Sequence, residues 1–98
     1  MNGLSMSEFR TLCEKSRQEK FRIEFIFEKF PYKLVVDKVI FVEDREGRRV
    51  PWTRVFGSKT PTDVLLSFRV KEIRVRGKRG LEKRIERIEE FREFIGLS

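Results

Sequence analysis

The stretch FRVKEIRVRGKRGLEKRIER, residues 68–87, decides how the chain is read. In its first half Phe68 and Val70 alternate in one phase and Ile73 and Val75 in the other. That is the pattern of a short basic strand with one extra residue near Lys71-Glu72. Such an insertion would bring Arg69, Lys71, Arg74 and Arg76 to one face; if the preceding helix runs into Phe68, the strand starts at Glu72, and Arg74 and Arg76 share a face either way. Gly77-Lys78-Arg79-Gly80 then reads as a turn. From there Leu81, Ile85, Ile88, Phe91 and Ile95, with Phe94 beside them, recur at helical spacing until Gly96 stops the run. The expected order is strand, glycine turn and a closing amphipathic helix that opens right after Gly80.

Charge is concentrated in the same stretch. Arg69, Lys71, Arg74, Arg76, Lys78, Arg79, Lys83, Arg84 and Arg87 stand against Glu72, Glu82 and Glu86, which places six of the chain's seven net positive charges here. A chain that is 40% charged fits a hyperthermophile surface. That origin predicts mixed signs everywhere, however, and not a local excess. The excess is the footprint of a phosphate-rich partner. Within the expected helix the cations crowd the amino-terminal end and Glu89, Glu90 and Glu93 the carboxyl end, opposite to what the helix dipole favours. The expectation is an anion-attracting pole at that amino terminus.

Upstream, Ser5 and Glu8 form a Ser-x-x-Glu capping box, with Leu4 and Phe9 as its hydrophobic staple. Met6, Phe9, Leu12 and Cys13 carry one apolar stripe through about Gln18. Phe21, Ile23, Phe25 and Phe27 alternate with polar residues as a half-buried strand ended by Pro31. Residues 33–43 are too apolar for a strand with one wet face and read as central in the sheet, or bulged near Asp37-Lys38. Asp44 to Gly47 is a turn, and Arg48 to Phe56 returns as a third strand with Pro51 at an edge or bulge. On it Trp52 and Arg54 would share a face, as a stacking platform beside a cationic contact or as core beneath the first helix. Thr60-Pro61-Thr62-Asp63 caps a short helix whose core face is Val64, Leu65, Leu66 and Phe68.

Two local resemblances bear on function. The Gly77–Gly80 turn resembles the Gly-x-x-Gly loop of KH domains, which clamps a nucleic-acid backbone, although in those domains the loop joins two helices. The run FVEDREGRRVPWTRV, residues 41–55, resembles the hairpin of a small archaeal family, the domain of unknown function 504, described as an RNA-end recognition domain. That hairpin carries Ile-Pro-Tyr-His-Arg-Ile. Val50, Pro51, Trp52, Arg54 and Val55 match it in type, and Thr53 stands in the place of the histidine. The resemblance implies RNA as the partner; residues 57–68 and the final helix have no counterpart in it.

Other classes are excluded on composition. The chain has 98 residues, no histidine and one cysteine, Cys13, so zinc, iron and histidine-dependent catalysis lack their usual groups. No cofactor is implied. Asp37, Asp44 and Asp63 lie on separate elements, and no catalytic set is expected. No apolar run reaches the roughly 20 residues of a membrane span, and no signal peptide is read, so the expectation is a cytoplasmic protein.

The sequence therefore predicts one α+β domain over residues 1–98. It comprises an N-terminal helix, a mostly antiparallel sheet of about four strands, a short helix before the last strand, and the C-terminal amphipathic helix. It is expected to bind nucleic acid, RNA before DNA, without catalysis. The candidate contacts are Arg69, Lys71, Arg74, Arg76, Lys78, Arg79, Lys83, Arg84 and Arg87, with Trp52 and Arg54. A rival expectation is an interaction module, homodimeric or accessory, in which the apolar stripe ending in Phe91, Phe94 and Ile95 pairs with a copy of itself or with another protein; the basic and acidic ends of the helix suit antiparallel pairing of two copies.

Overall fold

A computed structural model describes residues 3–77 and 80–97, and of Leu81 the backbone alone. In chain order the elements are helix α1 (Met6–Glu19), strands β1 (Arg22–Phe27), β2 (Lys33–Asp37), β3 (Val39–Glu43) and β4 (Arg49–Val50), helices α2 (Trp52–Phe56) and α3 (Pro61–Ser67), strands β5 (Val70–Gly77) and β6 (Gly80–Ile85), and helix α4 (Ile88–Ile95). The fold is α+β as expected. Its sheet holds six strands rather than about four, in the order β4-β3-β2-β1-β5-β6, and every neighbouring pair is antiparallel.

The two additional strands come from two misread segments. Residues 33–43 fold back on themselves, with Lys38 in the left-handed region at φ 66° between β2 and β3. Their apolar density reflects two neighbouring strands instead of one long central one. The second misreading is the glycine turn, which joins two strands and not a strand to a helix. Ile85 sits opposite Ile73, Arg84 opposite Arg74 and Lys83 opposite Val75. Leu81 and Ile85 are four residues apart, which satisfies a helical period and a strand period alike. Pairing with the otherwise open edge of β5 decides between them.

Helix α4 therefore begins at Ile88, with Glu89 and Glu90 in its first turn and Arg92 in its last. This charge order is the one the dipole favours, so the expected reversed pole does not exist. The third correction concerns Pro51. It lacks an N–H for the ladder, β4 ends at Val50, and Trp52 and Arg54 fall on one turn of helix instead of a strand face.

The capping boxes form as read. Ser5 Oγ accepts from the Glu8 N–H at 3.1 Å and Glu8 accepts from the Ser5 N–H at 2.9 Å. Thr60 and Asp63 repeat the exchange at the start of α3. The extra residue in β5 is also real: Phe27 pairs with Val70 and Ile26 with Glu72, leaving Lys71 unpaired between them.

Alternation assigns the two sheet faces. Ile23, Phe25, Phe27, Leu34, Val36, Val42, Ile73, Val75 and Ile85 turn to one side and join Phe9, Leu12, Phe56, Val64, Leu65 and Phe91 from the helices in one core. The Phe25 ring lies 6.2 Å from Phe9 of α1 and 5.7 Å from Phe91 of α4. At the far end Phe27, Phe30, Phe56 and Phe68 pack together at centroid distances of 4.7–6.4 Å. The helices thus cover one face of the sheet. Ile88 and Phe91, the apolar stripe of α4, are used inside this core.

Candidate nucleic-acid interface

The helix-free face is built from the residues that alternate with the core. Register places Arg22, Glu24 and Ile26 of β1 beside Lys33 and Val35 of β2, Phe41 and Glu43 of β3 and Arg49 of β4. On the other side of β1 lie Glu72, Arg74 and Arg76 of β5, with Arg84 of β6. Val35 is fully buried yet stands outside the helix-side core; its cross-strand neighbours are Glu24 and Phe41. Around it runs an ion network. Arg22 bridges Glu24, at 2.9 Å, and Glu43. Lys33 lies 3.6 Å from Glu24 and 3.8 Å from Glu43, and Arg76 lies 3.3 Å from Glu24.

Glu24 is only 3% exposed. Burial works to raise its carboxyl, but the Arg22 hydrogen bond and the charges of Lys33, Arg22 and Arg76 outweigh it, so the group is held below the ordinary carboxylate range. For Arg22 the balance has the same outcome. Burial disfavours the cation, Glu43 and Glu24 favour it more, and the guanidinium is held more firmly charged. This network neutralises much of its own charge. Farther out, the Arg49 guanidinium lies over the Phe41 ring, 4.2 Å from its centroid.

Arg49 and Arg84 of this face make no ion pair among the described residues, and the densest unpaired charge collects at one end of it. An open pocket of about 280 Å³ lies where the β1–β2 loop, the β3–β4 turn and the β5 bulge converge. Five cations line it, Lys29, Lys33, Arg45, Lys71 and Arg74, together with Ile26, Phe30 and Tyr32, and no carboxylate is among the lining residues. Arg74 is paired with Glu72, and Lys33 belongs to the network above. Lys29, Arg45 and Lys71 make no ion pair among the described residues. The bulge matters here, because it releases Lys71 from the ladder beside Arg74.

The expected contacts disperse over the molecule. Arg74, Arg76 and Arg84 share the helix-free face, and Lys71 joins Arg74 at the pocket. Lys83 lies on the helix side, its ammonium 5.6 Å from the Phe94 ring centroid. Arg69 pairs with Glu28 at 3.5 Å and Arg87 with Glu89 at 3.9 Å; both line a cleft between α3 and α4 that Glu86 and Glu89 also line. The single face expected for Arg69 with Lys71, Arg74 and Arg76 therefore fails at Arg69, which precedes β5. Trp52 packs against Phe56, ring centroids 4.9 Å apart and tilted by 58°, and donates its indole N–H to the Lys59 carbonyl at 2.9 Å. It is partly buried against the hydrophobic core, on one turn of helix with Arg54, which is exposed. Lys78 and Arg79 lie outside the described residues. Their flanking Gly77 and Gly80 line an opening at the opposite end of the sheet with Lys20, Arg22, Lys38 and Arg76, and with Asp37 among them.

Reading the sequence missed Lys29 and Tyr32 in the segment joining β1 to β2, Lys33 at the start of β2, and Arg45 in the β3–β4 turn; none belongs to the basic run. A signal existed for Lys33 alone, whose place before Leu34 and Val36 puts it on the wet side of β2. No protein-family model, no curated protein and no solved structure matches the chain.

Proposed function

We propose that the protein binds nucleic acid through its helix-free sheet face, with the cation-lined pocket at the end of β1 as the principal phosphate contact. The observation that carries this reading is the convergence of five cationic side chains, with no carboxylate, on one open pocket. Structural ion pairs serve stability when they come matched. Three cations held together from separate segments, without ion-pair partners among the described residues, cost folding energy by mutual repulsion, and an anionic ligand offsets that cost. Arg84, Arg76 and Arg22 extend the track along the face toward the Gly77–Gly80 turn. RNA is favoured over DNA by the likeness of residues 41–55 to an RNA-recognition hairpin.

The antiparallel pairing of two closing helices loses its charge premise, while Phe94 of α4 stays 47% exposed. Paired helices needed a helix basic at one end and acidic at the other, and Lys83 and Arg84 belong to β6. The test is fluorescence anisotropy with mixed RNA and DNA oligonucleotides, comparing wild type with Arg45→Glu/Lys71→Glu and with Lys78→Glu/Arg79→Glu. The first double variant should weaken binding at least tenfold, and more than the second. Equal affinity of Arg45→Glu/Lys71→Glu and wild type would remove the pocket from the interface. No binding of any oligonucleotide at low salt would end the nucleic-acid reading.

A further inference from the structure

From the pocket at the β5 bulge we infer that the protein takes an unpaired nucleotide, seating its base against Tyr32 and its phosphate among Lys29, Arg45 and Lys71. The inference rests on the nucleic-acid reading and specifies which form of nucleic acid fits. A flat basic surface would accept any phosphate backbone, double-stranded or single. This site is concave instead, and it combines two chemistries within about 280 Å³. Cationic side chains line it together with apolar and aromatic ones, Ile26, Phe27, Phe30 and Tyr32.

Tyr32 is the group suited to a base. Its ring is partly buried, in an edge-to-face arrangement with Phe30 at 5.5 Å and 63°, and its hydroxyl makes no hydrogen bond among the described residues. Phe30 is in turn fixed by Phe68 and Phe56, at 4.7 and 5.9 Å, so Tyr32 stands on a packed support. A tyrosine serving only the core would have its ring covered and its hydroxyl paired. Base-on-aromatic stacking needs a free π-face, and in a duplex each base face is already occupied by its neighbours. The volume suits one nucleotide and not several, at the lower limit of the roughly 300 Å³ typical of small-ligand sites. Pro31 beside Tyr32 restricts the loop backbone, which lowers the entropy lost when a ligand orders it.

The test uses the full chain and a short single-stranded RNA carrying 2-aminopurine, whose fluorescence is quenched by stacking. Quenching on binding is expected, with the single strand binding at least tenfold tighter than a blunt duplex of the same sequence. Tyr32→Leu should lose roughly tenfold in affinity together with the quench, and Tyr32→Phe should keep both. The salt dependence of binding should be the same in all three proteins, because no charge changes. Adenosine monophosphate serves as competitor. Displacement at micromolar concentration assigns the site to free nucleotides, and none below millimolar assigns it to a nucleotide within a strand. Equal affinity for duplex and single strand, or an unquenched wild-type complex, overturns the inference while leaving nucleic-acid binding standing. Should Tyr32→Leu not fold, the quench and the strand comparison on wild type decide the matter alone.

Discussion

Glu8 shows how much one side chain can carry. It closes the capping box of α1 and accepts an ion pair from Arg92 of α4, joining the first helix to the last. The Arg92 hydrogen bond, followed by the Ser5 backbone N–H, lowers its carboxyl from 4.5 to about 2. A depressed acid contributes stability above its unfolded value and loses it as pH falls through its folded value. The stability difference between wild type and Glu8→Gln should therefore be full at pH 7 and close as pH falls from 4.5 to about 2. Urea unfolding at a series of pH values measures it, and a difference independent of pH would show that the pair does not act through charge. Both side chains are partly solvated, so the gap should stay near ~1 kcal/mol or below.

At the scale of elements, the sharpest dependence is of the β2–β3 turn on α1. Ser16 is fully buried; its hydroxyl donates to the Cys13 carbonyl at 2.8 Å and accepts from the Lys38 N–H at 2.7 Å. Lys38 is the left-handed residue that lets β3 fold back on β2. Ser16→Ala would leave that N–H without its partner and should cost about 2 kcal/mol, read as a lower urea midpoint with an unchanged slope. Loss of less than ~0.5 kcal/mol would mean that water replaces the hydroxyl. The capping boxes were legible because their signals lie three residues apart in the sequence. The Ser16–Lys38 bond was not, because its partners are joined only when α1 lies down on the sheet.

For the whole molecule, the two faces of the sheet divide the work. One side holds the phenylalanine-rich core beneath four helices; the other carries a self-compensated ion network with an uncompensated pocket at its end. Only the uncompensated charge should release counterions on binding. With the five cations of this face that make no ion pair among the described residues, Lys29, Arg45, Arg49, Lys71 and Arg84, each meeting a phosphate of a single strand, the expected slope of log affinity against log salt is about −3.5, roughly a hundredfold loss from about 50 to 200 mM. A slope of about −6, to which Arg22, Lys33, Arg74 and Arg76 would add by breaking their pairs, would mean that the internal ion pairs open on binding. Net charge, +7, predicts the sign of this dependence, and the pairing in the fold predicts its size.

The sequence alone determined whatever depends on neighbours along the chain: both capping boxes, the alternation of β1, the bulge near Lys71, the α+β class and the basic excess of residues 69–87. Tertiary structure alone decided whatever depends on partners across the sheet. Leu81 and Ile85 fit helix and strand equally, and the open edge of β5 made residues 80–85 a strand. This removed the reversed helix dipole and sent Lys83 and Arg84 to opposite faces. Lys29, Arg45 and Lys71 lie in three separate segments, with no local pattern to unite them. Antiparallel register brings them to one pocket, because folding sets distances between residues that sequence spacing does not encode.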